Sequence, residues 1–120
     1  MKYMLLIYTE LNDISDAERE ACYQESRQLI NHLTAKQQFI SAHPLHPVTM
    51  ATSVRVREGK RLITDGPFAE TREQLGGYFL IEAVHLDEAL SIAERIPMAR
   101  KGVVEVRPVI DLSGLAGDEV

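Results

Sequence analysis

Two segments of this chain, residues 2–9 and 77–84, are apolar at consecutive positions where a surface strand would alternate. In the first, Tyr3, Leu5 and Ile7 share one parity and Met4, Leu6 and Tyr8 the other; in the second, Tyr78 and Leu80 oppose Phe79 and Ile81. Successive side chains of a strand point to opposite faces of the sheet, so a segment apolar on both parities needs cover on both sides. Both segments therefore read as central strands.

The elements between them limit the topology. After a polar turn at Asn12-Asp13, residues 15–37 read as a helix, with Ser15 as N-cap and Glu18 completing a capping box. Its apolar stripe is Ala21, Cys22, Leu29, Ile30 and Leu33. Residues 41–47 read as a loop, because Pro44 and Pro47 each disfavour helix in the residue before them. Residues 48–57 alternate, Val54 and Val56 against Arg55 and Arg57, and Glu58-Gly59-Lys60 turns the chain into a short strand at 61–64. That predicts a hairpin with one wet face. A second helix at 86–96 places Leu86, Ala89, Leu90, Ala93 and Ile96 on one stripe, with Pro97 and Gly102 punctuating its end. Residues 103–110 alternate again, and 113–120 read as a flexible tail beyond a single domain of residues 1–112.

The resulting order is an α+β arrangement, a ferredoxin-like βαββαβ with an extra hairpin strand and a sheet of spatial order 4-1-3-2. Two helices cover one face of such a sheet. The other apolar face needs a partner, and a homodimer stacking two sheets face to face, a dimeric α+β barrel, would supply it.

Composition narrows the partners and the compartment. With 18 acidic against 13 basic residues and a formal charge of -5, the chain lacks the clustered cations expected of a nucleic-acid groove or an anionic membrane surface. Cys22 stands alone, so no intramolecular disulfide can form. The N-terminal apolar run is too short for a signal peptide, no small-residue cleavage site follows it, and no stretch is long enough to span a bilayer. A cytoplasmic location is the expectation.

The chemistry-bearing segment is Thr64-Asp65-Gly66-Pro67-Phe68-Ala69-Glu70-Thr71-Arg72-Glu73-Gln74-Leu75-Gly76-Gly77-Tyr78. Asp65-Gly66-Pro67 is a turn signal, since Asp bonds local backbone, Gly admits positive φ and Pro fixes φ. The charged stretch Glu70, Arg72, Glu73 follows, and Gly76-Gly77 leads into the second central strand.

This run resembles the signature of the DGPF branch of the YCII-related domain family. Residues 1–8 resemble the family's opening strand, and Ile96-Pro97 with Val104-Glu105-Val106-Arg107-Pro108 its close, so the resemblance covers roughly residues 1–112. It implies a dimeric α+β barrel of ferredoxin-like protomers. It further implies a His and Asp pair in a cleft, for which Asp65 and His32 are the matching positions. Some members of the wider group act on small molecules as lyases or dehalogenating enzymes, and genes of the DGPF branch often lie beside extracytoplasmic-function sigma factors. His85 stands where many relatives carry an Asp cap for the second helix, with Glu88 still at N3.

Each candidate residue admits a functional and a structural reading. Asp65 is a general acid or base if a dry cleft raises its pKa, or a turn residue bonding backbone N–H groups. Glu70, Arg72 and Glu73 either bind a polar ligand, with Arg72 as the fork for a carboxylate or phosphate, or form an ion-pair network pinning the loop. Phe68 and Tyr78 line a pocket, or pack core and dimer. Cys22, on the apolar stripe, reads as an inert thiol. His43 and His46 lack a convincing third ligand, so no metal centre is expected. No phosphate-cradling Gly loop or dinucleotide fingerprint is present, and no cofactor is expected. The leading expectation is a homodimer binding a small polar or anionic molecule near residues 65–78, with cofactor-free lyase or isomerase chemistry. The rival is a regulatory protein contacting a partner such as a sigma factor.

Overall fold

The computed structural model describes residues 1–10 and 14–115. Its main sheet has four antiparallel strands in the order β2-β5-β1-β6, where β1 is Lys2–Glu10, β2 is Phe39–Pro44, β5 is Glu73–Glu82 and β6 is Val103–Pro108. Two further strands, β3 (Thr52–Arg57) and β4 (Lys60–Asp65), pair only with each other. Helices α1 (Asp16–Ala35) and α2 (Leu86–Ala93) follow β1 and β5. The whole is a plate of 47 × 46 × 19 Å. This is a mixed α+β architecture compatible with a ferredoxin-like fold.

β1 and β5 are the central pair, running in register from Lys2↔Glu82 to Glu10↔Glu73 with one irregularity between Ile7 and Tyr8. Odd-numbered β1 residues face the helices: Tyr3 and Leu5 join Phe79, Ile81, Leu29, Leu33, Ala89, Ile92 and Ile96 in the core. Full burial of a side chain such as Leu33 contributes about 1.5–3 kcal/mol relative to exposure. The even-numbered face carries Met4, Leu6, Tyr8, Tyr78 and Leu80, all partly exposed.

Several expectations require correction. The spatial order is the one expected, but the strand filling the second place is Phe39–Pro44, in the segment read as a loop. Pro44 is compatible with this because it is the last residue of an edge strand, where one side of the backbone needs no partner. The hairpin expected in that place stands apart from the main sheet, and Val48–Met50 forms a 3-10 turn before it. Its turn has two residues with positive φ, Glu58 at 52° and Gly59 at 74°, as a type I′ turn demands. It has no dry face: Val54 is 63% and Val56 61% exposed.

β5 begins at Glu73, so Gly76 and Gly77 lie within the strand and mark the irregularity opposite Ile7 and Tyr8. Ser15 caps α1 as expected, its Oγ accepting from Glu18 N at 3.2 Å, but the helix ends at Ala35 and Ala21 is exposed. α2 is capped by His85, whose Nδ1 accepts from Glu88 N at 3.2 Å. It ends at Ala93, before a 3-10 segment Pro97–Arg100, and its buried side turns toward Ile92 and away from Leu86 and Leu90. The expected turn at Asn12-Asp13 and residues 116–120 of the expected tail lie outside the described residues; Ser113 N donates to Asp111 Oδ1 at 2.9 Å. Among the described residues no helix is long and apolar enough to cross a membrane.

Candidate functional site

Helix α1 is buried only along its second half, through Leu29 and Leu33. Its first half stands off the sheet. One flank of that half is tied down: Glu18 pairs with Lys101, and Arg100 Nη2 lies 2.9 and 3.1 Å from the two carboxylate oxygens of Glu25. The opposite flank, with Arg19, Tyr23, Arg27 and Asn31 at intervals of one helical turn, opens onto a cleft of about 420 Å³. That volume lies in the range typical of small-molecule sites.

The floor comes from the sheet, from the segment after α2 and from Ile30 of α1 itself. Ile7, Ile30, Ala42 and Met98 are partly buried against the core, and their remaining surface faces the cleft. The far wall is Pro44, Leu45 and Val48, and the end of the cleft is the irregular stretch Gln74–Gly77. Space for a side chain is short there. A Cβ on Gly77 would sit 3.0 Å from the His43 carbonyl oxygen and 3.2 Å from Pro44 Cα, so the close passage of β2 over β5 that shapes this wall depends on the missing side chain.

The charges around the cleft are largely paired. Arg19 Nη1 meets Asp16 Oδ1 at 3.0 Å, and Glu10, at the mouth, accepts from Arg72 Nε at 2.6 Å. Arg27 has no hydrogen bond or ion pair among the described residues. Cys22 lines the cleft, and burial first, then the nearby Glu25 charge, push its thiol up from its ordinary value. At neutral pH it is a protonated apolar wall group.

The residues singled out from the sequence are dispersed. Tyr78 touches this cleft at the sheet, but its side chain belongs to the helix-free face, where its ring lies 5.8 Å from that of His43 and its hydroxyl 3.5 Å from Ser41 Oγ. Phe68, 80% exposed, borders a second hollow of about 550 Å³ together with Tyr8, Met50 and Leu75. Residues Leu45, Val48, Gln74 and Leu75 border both hollows. Asp65 ends β4 on the hairpin, exposed, and lines neither. His32 lies outside both as well, its Nδ1 meeting the Arg95 guanidinium, so Asp65 and His32 are not brought together at either hollow. Glu70 and Glu73 are exposed, and Arg72 touches the cleft only through Glu10. Among the described residues no group of three or more His, Cys, Asp or Glu is placed to hold a metal ion.

Sequence reasoning passed over Arg19, Tyr23, Arg27 and Ser26, which contribute most of the helical wall. The available signal was the i, i+4 series Arg19, Tyr23, Arg27, Asn31 running beside the apolar stripe.

The chain is thus an antiparallel α+β unit with a cleft between its first helix and its sheet. Its sequence matches the YCII-related domain model over residues 1–113, and the chain belongs to that family. It is also 36% identical over 118 residues to an uncharacterised protein of Rhizobium meliloti (strain 1021), covering 91% of this chain and 92% of that protein.

Proposed function

We propose that this chain is a protomer of a homodimer of the DGPF type, cytoplasmic, that binds a small organic molecule in the cleft between α1 and the sheet. The observation that carries the reading is the cleft itself: an apolar floor, polar side chains from one flank of α1, and a volume suited to a metabolite-sized ligand. Glu10, held by Arg72, is the carboxylate at its mouth and the group assigned to proton transfer of the lyase or isomerase kind. In this reading the signature loop serves the site by fixing Glu10 through Arg72.

The homodimer rests on surface. The chain exposes 8845 Å², whereas a compact folded chain of 13.5 kDa should expose about 6,500 Å². The excess, roughly 2,300 Å², exceeds what each partner loses in a standard interface of about 800 Å² a side. Met4, Leu6, Tyr8 and Leu80 on the helix-free face are the surface to be covered.

Thermal-shift screening of the purified chain against small organic acids, amides and alcohols, repeated on Ser26→Phe, tests the binding site. Hits lost on filling the cleft support it; hits that persist refute it. Light scattering tests the dimer, which Leu6→Asp should dissociate. A second reading, an interaction protein whose partner is a sigma factor or another regulator, is favoured by the apolar side chains exposed on the hairpin and signature loop, Val54, Val56, Ile63 and Phe68.

A further inference from the structure

We infer that the cleft selects an amphiphilic monoanion, an aliphatic or aromatic carboxylate whose apolar body lies on Ile7, Ile30 and Met98 and whose carboxylate is received by Arg27. This rests on the reading of the cleft as a ligand site and specifies its occupant. The argument starts from charge. Of the charged side chains that line the cleft, Arg19 is matched by Asp16 and Glu10 by Arg72, while Glu25, on the other flank of α1, is occupied by Arg100. Arg27 is left without a hydrogen bond or ion pair among the described residues. It stands on the polar flank of α1 above an apolar floor, in a chain whose net charge is -5 and which offers carboxylates readily on other surfaces.

A planar guanidinium presents paired donors that match the two oxygens of a carboxylate, and such charge-assisted bonds are stronger than neutral ones. Ser26, one position before Arg27, and Asn31, one turn after it, border the same cleft and add polar groups that can receive or orient the anion. One uncompensated cation suits a monoanion; a phosphate dianion would call for a second, and Arg19 is already engaged. The apolar floor sets the rest of the ligand. Ile7, Ile30 and Met98 are each partly buried, so removing their remaining surface from water favours a hydrocarbon or aryl body over a sugar or a polyol. A volume of about 420 Å³ leaves room for an acid of roughly ten to fifteen heavy atoms.

The test titrates the full chain calorimetrically with decanoate and with its uncharged isostere decanamide, on wild type, Arg27→Gln, Arg27→Lys, Arg55→Gln and Ser26→Phe. The expected result is one decanoate per chain, bound about tenfold or more tighter than decanamide, since a hydrogen bond to a charged group is worth about that factor. Arg27→Gln should abolish the preference, Arg27→Lys should restore part of it, and Arg55→Gln, an exposed hairpin arginine that lines neither hollow, should leave it. Ser26→Phe should remove both ligands while circular dichroism confirms folding. Equal binding of acid and amide, unaffected by Arg27→Gln but lost in Ser26→Phe, would overturn the anion preference and leave the cleft reading standing. Absence of binding by either ligand would overturn both.

Discussion

Arg72 Nε donates to Glu10 Oε1 at 2.6 Å, joining the charged signature loop to the end of β1 across 62 positions of chain. The pair is exposed, Arg72 more so than Glu10, so water and salt compete with it. Its consequence for stability is therefore small and its consequence for charge at the cleft mouth is the larger one. Arg72→Ala should cost less than about 1 kcal/mol in urea unfolding. It should also weaken decanoate binding at low salt, because Glu10 is left as an uncompensated negative charge facing an anion, and the weakening should fade as salt rises. A loss of stability of several kcal/mol would contradict this assignment and return the loop to a buried-network role.

Gly102 is predicted to be the least replaceable glycine described. A Cβ there would lie 2.0 Å from the Tyr8 carbonyl oxygen, so Gly102→Ala forces the entry of β6 away from β1. Overpacking of this kind costs about 1–3 kcal/mol. Gly76→Ala provides the control: its Cβ would meet Ile7 O and Thr9 Oγ1 at 3.9 Å, an ordinary contact, and its melting temperature should stay within about 2 °C of wild type. Differential scanning calorimetry of the two variants gives the comparison.

The Glu18–Lys101 pair predicts a pH dependence with a definite sign. The hydrogen bond from Lys101 first, and its charge second, hold the Glu18 carboxyl below its ordinary value. A carboxyl depressed in the folded state contributes stability that is present above its unfolded pKa and lost as pH falls through its folded one. The stability difference between wild type and Lys101→Met should thus be constant from about pH 8 to pH 6 and vanish once pH falls well below about 4.3, the unperturbed glutamate value. A difference that grows in acid would be inconsistent with the pairing.

Cys22 offers a chemical reading of cleft occupancy. Because burial raises its pKa and it lines the cleft wall, iodoacetamide should label it far more slowly at pH 7 than a free thiol, accelerating as pH rises. Saturating decanoate should slow labelling further, by several-fold, since carboxylate and reagent compete for the same space. Mass spectrometry of intact protein measures both rates. Labelling indifferent to decanoate would place the ligand elsewhere.

The central strands were legible because apolar side chains at consecutive positions leave an unambiguous mark: Leu5 beside Leu6 in one, Phe79 beside Leu80 in the other. The caps were legible too, since Ser15 and Glu18 act locally. Phe39–Pro44 was missed because an edge strand needs pairing on one side only, so Pro44 is tolerated where a strand rule rejects it. The cleft was missed for a different reason. Arg19, Tyr23 and Arg27 acquire a shared wall only when α1 is anchored by Leu29 and Leu33 at one end and by Glu25 and Arg100 on one flank, and their i, i+4 spacing does not encode those long-range contacts. Asp65, Phe68 and Glu70 drew attention through turn chemistry and charge, which describe how a loop is built irrespective of what lies beside it.

The flatness of the molecule has a consequence for how it moves. A plate of 47 × 46 × 19 Å tumbles faster about some axes than others, and amide relaxation rates should then depend on the orientation of each N–H bond relative to the plate. Two such plates stacked through their helix-free faces would form a body about 40 Å deep, close to equal in all three directions, as an isologous pair allows. Rotational diffusion of the assembled protein should accordingly be slower and nearly isotropic, so the β1 amides, which share one direction, and those of α1, which share another, would relax alike.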